Sequence, residues 1–267
     1  TGTTSVGNSG AVFLGSGLAT SGRGGTVTIT VGAGNSGRGG DLVLTAGVTS
    51  DTAQVLATGG QIHMSGGTSA SQTGGRVFIR SGVSTSKSSG ALGVVTADSG
   101  SAGVSGYMVL STGKAVNSNS GSLYIGSGTS ASGRGGSVYV TVGSGNSGAG
   151  GDIVLAAGTS SLEAGGQIYL SGGTSSVTTG GRVLIQSGFS SAQSSGAVGI
   201  LTADSSAGGV SGYMILSTGD ALNGNSGAMF VGSGSSVSGR GGSVYVTVGS
   251  GDSGAGGDVV FTAGGTS

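Results

Sequence analysis

A glycine stands immediately before each of seventeen short apolar segments, and this punctuation limits the possible folds more than any other feature of the chain. The aliphatic pairs Val12/Leu14, Val27/Ile29, Leu42/Leu44, Ile62/Met64 and Val77/Ile79 open the series, preceded by Gly10, Gly25, Gly40, Gly60 and Gly75. Repeats begin at Ala11, Thr26, Asp41, Gln61, Arg76, Ala91, Tyr107, Ser122, Ser137, Asp152, Gln167, Arg182, Ala197, Tyr213, Ala228, Ser243 and Asp258. The spacing is fifteen residues, except for two repeats of sixteen that end at Gly106 and Gly212 and one of twenty that ends at Gly60. Self-similarity at such a period is the signature of a stacked, quasi-one-dimensional architecture.

A longer period lies on top of the short one. The run from Gly135 to Gly143 recurs from Gly241 to Gly249, an offset of 106 residues, or seven repeats of fifteen plus one residue. The first version, starting at Gly24, is offset by 111; the extra five residues lie near Asp51 to Thr58, against the shorter Ser160 to Ala164. Residues 1–267 therefore read as one continuous segment in three blocks, approximately 11–121, 122–227 and a partial 228–267. The segment opens and closes inside the repeat and is expected to belong to a longer chain.

Each repeat has an internal logic. Positions 2 and 4 are large and aliphatic, with Phe261 the aromatic exception, and two-residue alternation places them on one face of a strand. Position 6 is small or Val, and position 7 is Gly except at Ala97 and Ala203. Glycines fixed at position 7 and at the end of the repeat predict two corners, where positive φ or close backbone approach excludes a Cβ. Positions 8 to 13 are rich in Ser, Thr, Asn and Gly and form a weaker second strand or an ordered return loop. No repeat buries enough surface to offset its own chain entropy. The predicted fold is all-β: a parallel β-solenoid, right-handed and flattened, of about seventeen coils that advance ~4.8 Å each into a rod of roughly 80 Å. Chains with 66 Gly can be disordered, but here 34% of the residues are hydrophobic and they are periodic.

Position 3 should point away from the core, yet it is apolar in Phe13, Val43, Phe78, Val109, Tyr124, Tyr139, Val154, Tyr169, Leu184, Ile215, Phe230, Tyr245 and Val260. It departs at Thr28, His63, Gly93 and Gly199. A stripe of this extent exceeds what a soluble monomer exposes and reads as a lateral interface with other solenoid chains, another segment of the same chain, or glycan. Position 1 cycles through Ser, Asp, Gln, Arg, Ala, Tyr and Ala or Ser, which gives each coil an identity and opposes slippage by one coil.

The composition argues against most chemistry. Only 7% of residues are charged and Lys plus Arg equals Asp plus Glu, so no field favours nucleic acid or an anionic membrane. No apolar run is long enough to span a bilayer, and the absence of Cys removes disulfides and thiolate metal sites. His63 is the only histidine and is replaced by Tyr169 in the next block, so a surface role is expected rather than that of a general base. Asp41, Asp152 and Asp258 recur at position 1 and Asp98 and Asp204 recur in the sixteen-residue repeats, each recurring Asp standing alone in its block, so a structural or solvating role is expected. The Gly150-Gly151-Asp152 run has neither the motif nor the nine-residue period of calcium-binding solenoids. The Ser-Gly-Arg-Gly-Gly runs at Arg23, Arg134 and Arg240 are isolated corners, not RNA-binding tracts. No catalytic, metal or cofactor site is expected, and the chain is not expected to be an enzyme.

The return loops do offer hydroxyls. Thr68, Ser69, Ser84, Thr85, Ser86, Thr129, Ser130, Thr174, Ser175, Ser176, Ser190 and Ser191 are candidates for O-linked sugar, whereas no Asn-x-Ser/Thr sequon occurs. Glycans would protect an uncharged β-rod from random association.

The Gly135 to Asp152 run (GGSVYVTVGSGNSGAGGD) and the Val210 to Gly219 run (VSGYMILSTG) carry a pattern of Gly pairs, alternating aliphatics and Ser-Gly corners. The pattern resembles the repeat regions of the sexually induced glycoprotein family of diatoms and related stramenopile algae, and the resemblance covers essentially the whole segment. It implies an extracellular, glycosylated shaft protein of mastigonemes, the tubular hairs of the flagellum, with no catalytic residues. The expected function is accordingly a structural component of an extracellular filament. The alternatives are a surface adhesin or ice-binding solenoid and, less favoured, a carbohydrate-active β-helix enzyme. Regular Thr rows, which ice binding would need, are interrupted by Asp, His and Tyr, and acids and bases are sparse.

Overall fold

The computed structural model describes residues 1–50, 58–206 and 208–265; the expected insertion near Asp51, apart from Thr58, lies outside the described residues. The chain divides into two segments, Thr1–Gly136 and Ser137–Ser267, and the division falls between two repeats, at the glycine that ends the repeat of Ser122. The same local structure recurs in each segment.

Each complete repeat returns on itself and brings its last glycine against its own position 6 or 7. A Cβ built on Gly40, Gly151 or Gly257 would sit 2.7–2.9 Å from Cγ1 of Val31, Val142 or Val248 respectively. On Gly25, Gly136 or Gly242 it would lie 2.9–3.0 Å from the Cβ of Ser16, Ser127 or Ser233. On Gly75 or Gly181 it would lie 2.7–2.8 Å from the backbone nitrogen of Gly67 or Gly173. None of these glycines has positive φ. Close approach thus accounts for the closing glycine in these repeats, whereas at Gly90, Gly106, Gly121, Gly196, Gly212 and Gly227 a Cβ would make only ordinary contacts at 3.4–3.7 Å. Positive φ is found instead at Gly7, Gly37, Gly148, Gly208 and Gly254, inside the return loop. Four of these loops bend on Gly at the third place of Asn-Ser-Gly, Asp-Ser-Gly or Ser-Val-Gly, where a left-handed residue reverses the chain at low cost. At position 7 a Cβ would meet nothing within 4 Å on Gly17, Gly128 or Gly173, in keeping with Ala97 and Ala203 at that place.

The closing contact differs between repeats, and one type of sixth residue closes in either way, as Ser16 and Ser81 show. Where the sixth residue is Ser16, Thr112, Ser127, Thr218 or Ser233, the hydroxyl donates to the carbonyl of the closing glycine at 2.7–3.1 Å. Where it is Gly66, Ser81, Ala157, Gly172 or Ser187, the N–H of the closing glycine donates to the position-7 carbonyl at 2.7–3.0 Å. The twenty-residue repeat closes in the second way, from Gly60 to Gly47 at 2.8 Å. Val31, Val142 and Val248 close by contact alone. The sixth residue runs Ser, Val, Ala, Gly, Ser, Thr, Thr through the first seven repeats and repeats that order without error in the next seven. The sixteen-residue repeats tie their extra residue locally, with the Ser99 and Ser205 hydroxyls donating to the carbonyls of Gly103 and Gly209 at 3.0 Å.

Beyond the single repeat there is little to hold the chain. Among the described residues none belongs to a helix or a hydrogen-bonded strand, and none is buried. The accessible surface is 26476 Å² for 24.5 kDa. A compact monomer of that mass exposes about 10,000 Å² and an unfolded chain about 35,000 Å². The continuous core expected of stacked coils is therefore not formed within these two segments. The half-buried positions are instead small ones inside each loop, such as Ala46, Ser81, Ala157 and Ser187 at position 6 and Ser84, Ala115 and Ser190 at position 9.

The close-approach reading separates two glycines of one repeat. In Gly181→Ala, the 2.8 Å bond to the Gly173 carbonyl should break. Amide exchange at residue 181 should then quicken about fivefold, whereas Gly173→Ala should change it by less than about twofold, for a bond of ~1 kcal/mol. Equal effects in a hydrogen-exchange measurement would show that the backbone does not approach this closely.

Candidate functional site

The position-3 row is the most solvent-facing part of the apolar segments. Side-chain alternation sets this locally: in the repeat of Ser137, Val138 is 52% exposed and Tyr139 is 85% exposed. The same order holds for Ile168 and Tyr169, Met229 and Phe230, and Val244 and Tyr245. Each member of the row expected to form a lateral interface is exposed: Phe13, Val43, Phe78, Val109 and Tyr124 in the first segment, and Tyr139, Val154, Tyr169, Leu184, Ile215, Phe230, Tyr245 and Val260 in the second. Position 2 is more shielded than position 3 throughout this row and about half exposed in most repeats, whereas position 4 is largely exposed and at Phe261 (88%) exceeds Val260 (77%).

The groups that catalysis would need stay apart. Among the described residues no three His, Cys, Asp or Glu side chains cluster closely enough to hold a metal ion. His63, Asp41, Asp98, Asp152, Asp204 and Asp258 are all exposed. An open polar concavity is lined by Thr1 to Thr4 and Gly7 to Ser9, where the chain begins, and it holds no ionisable side chain. Among the described residues no helix is long and apolar enough to cross a membrane.

The loop hydroxyls divide into two kinds. Ser69, Ser84, Ser175 and Ser190, all at position 9, accept the backbone N–H three residues on, from Gln72, Lys87, Thr178 and Gln193, at 2.9 Å. Ser160 does the same for Glu163 at 3.0 Å. These are Ser turns, in which the hydroxyl replaces a carbonyl as the acceptor that reverses the chain. The Ser175 hydroxyl is also 3.0 Å from that of Thr178. Thr68, Thr85, Ser86, Thr129, Ser130, Thr174, Ser176 and Ser191 are exposed, and their hydroxyls take no part in these turns. Twelve candidate sites of one apparent class thus separate into four that shape the loop and eight that point to solvent.

One juxtaposition escapes the repeat-based reading. Arg76 and Arg80, at positions 1 and 5 of one repeat, place their guanidinium carbons 5.8 Å and 5.9 Å from the centroid of the Phe78 ring between them. Both distances are within the range of a cation–π contact. Arg80 has no counterpart in the next block, where Gln186 stands, and that mismatch between blocks is the signal in the sequence that marks it.

Compared with known proteins, the chain matches no family model, no curated protein and no solved structure. The resemblance to the algal glycoproteins rests on the repeat pattern of the residues alone.

The Ser turns give a direct test. Ser190→Ala removes the acceptor of the Gln193 N–H, and exchange of that amide should quicken about fivefold to tenfold, as expected for one net hydrogen bond. Ser191→Ala should leave it unchanged. The same hydrogen-exchange experiment on both variants separates the two kinds of hydroxyl.

Proposed function

We propose that this chain is structural material of an extracellular filament, in which its repeats stack as the coils of a parallel β-solenoid and the position-3 row makes the lateral contacts. The observation that carries the proposal is the coexistence, in each complete repeat, of a regular apolar pair and a loop that closes on itself without burying that pair. A chain that exposes 26476 Å² has not offset its conformational entropy by burial. Stacking at ~4.8 Å would pair the free backbone groups of neighbouring repeats and cover positions 2 and 4 with the same positions of the next coil. It would also fill the open space at position 7, where glycine is kept in fifteen of seventeen repeats although a Cβ meets nothing in the repeat itself.

The row at position 3 stays outside such a stack and is the surface for related solenoid chains. The resemblance to the sexually induced glycoproteins supports the shaft of a flagellar hair as the particular filament. In this reading the chain is a glycoprotein without catalytic activity, cofactor or bound metal, and it takes no part in nucleic-acid binding or membrane insertion. O-linked sugar belongs on the exposed hydroxyls, Thr68, Thr85, Ser86, Thr129, Ser130, Thr174, Ser176 and Ser191, and not on the four serines that hold the loops.

Cryo-electron microscopy of native filaments tests the arrangement. Coils spaced by ~4.8 Å, with protein density against the position-3 row, are the expected result. Isolated chains with that row bare would overturn the lateral contact and favour adhesion. In the triple variant Tyr139→Ser, Tyr169→Ser and Tyr245→Ser, lateral bundling followed by sedimentation should fall by about tenfold or more, since each ring contributes ~1–2 kcal/mol of burial. Peptide mass spectrometry of native material should find sugar on Thr85 or Ser191 and none on Ser84 or Ser190.

A further inference from the structure

The chain is neutral as a whole, but its charge is not evenly placed. No Asp or Glu occurs between Asp51 and Asp98, and that interval holds Arg76, Arg80, Lys87 and His63. The corresponding interval of the next block, between Glu163 and Asp204, is equally free of acids yet holds Arg182 as its only basic residue. Three of the nine Lys and Arg residues therefore fall in one repeat, that of Arg76. All three are exposed, so none is neutralised by burial against a carboxylate.

Geometry concentrates this charge around an aromatic ring. Arg76 and Arg80 flank Phe78 at 5.8 Å and 5.9 Å, and the ring itself is 69% exposed. The other aromatic residues of position 3, among them Phe13, Tyr124, Tyr139 and Tyr245, have neutral neighbours at positions 1 and 5. Four residues of extended chain set the Cα atoms of the two arginines about 13 Å apart, and their guanidinium carbons, each no more than 5.9 Å from the same ring centroid, lie less than about 12 Å apart, a span suited to successive charges of an extended polymer. Guanidinium groups recognise carboxylate and sulfate oxygens in a planar fork, and the exposed part of the Phe78 ring left between them offers apolar contact to a sugar ring.

We propose that the repeat of Arg76 binds an anionic polysaccharide, carrying carboxylate or sulfate groups, through Arg76 and Arg80 with Phe78 as the platform between them and Lys87 as a further charge. Nucleic acid is the poorer fit, because its affinity comes from many phosphate contacts and a neutral chain with one basic repeat cannot supply them. The choice of polysaccharide rests on the extracellular reading above. The binding itself does not require filaments and is measured on dispersed chains, so failure of assembly and failure of binding are separate results.

The experiment is titration of the full chain with dextran sulfate and polygalacturonate at low ionic strength, with neutral dextran, oligothymidylate and polyglutamate as comparisons. The expected result is binding to at least one of the two acidic polysaccharides and none to neutral dextran. Oligothymidylate and polyglutamate should bind about tenfold more weakly or less. Arg76→Ser/Arg80→Ser should lower the polysaccharide affinity by about tenfold or more, and Arg182→Ser should leave it unchanged. Phe78→Leu, which copies Leu184 of the next block, should weaken binding while keeping its salt dependence. Absence of binding to both polysaccharides, equal binding of oligothymidylate or polyglutamate, or an Arg182→Ser variant as impaired as the double variant would overturn the proposal.

Discussion

The contact between the sixth or seventh residue of a repeat and the glycine that ends it is the constraint on which everything else depends. It fixes the ring size of the repeat, and with it the register at which one apolar pair follows another. Because a valine methyl or a backbone nitrogen comes within 2.7–2.9 Å of where a Cβ would sit, glycine closes repeats such as those ending at Gly40, Gly75 and Gly151. Three different devices achieve the closure: a hydroxyl on a carbonyl, an amide on a carbonyl, and the methyl of a valine on a bare Cα. They share a geometry but not a chemistry, and their order is what distinguishes one repeat from another within a block of seven.

Closure organises the loop but leaves the apolar pair in want of a partner. Local hydrogen bonds of ~1 kcal/mol do not replace the burial of two aliphatic side chains, each worth ~1.5–3 kcal/mol when fully covered. The two faces of the segment are also not equivalent: Val138 is more shielded than Tyr139, and Ile168 more than Tyr169. A difference that is consistent from repeat to repeat gives the chain an inner and an outer side before any neighbour arrives. The proposed stack and the proposed lateral contact each use one of these sides.

The repeat, the position of its glycines and the separation of its acids were all legible in the sequence, because each depends on residue type at fixed spacing. The reason for the closing glycine was half legible, since close approach and positive φ leave the same mark; Gly40 and Gly37, three residues apart, turn out to divide the two reasons between them. The roles of the loop serines were hidden. Ser84 and Thr85 look alike as letters, and only the loop geometry makes one an acceptor for Lys87 and leaves the other in solvent. The strict order of sixth residues was present in the sequence but had no meaning until closure showed what position 6 touches. Arg80 was hidden for the opposite reason: a search for what repeats passes over what occurs once.

The ordering of closures has a mechanical side. A repeat held by a hydrogen bond resists being pulled open until that bond breaks, over a few tenths of an ångström. A repeat held by Val31, Val142 or Val248 against bare glycine resists through dispersion alone, which is weaker and acts at short range. These three stand seven repeats apart, next to repeats whose hydroxyls close at 2.7–2.8 Å. Compliance is therefore graded along the chain with the period of the block, and a tensile load would meet a soft link beside a stiff one at each recurrence.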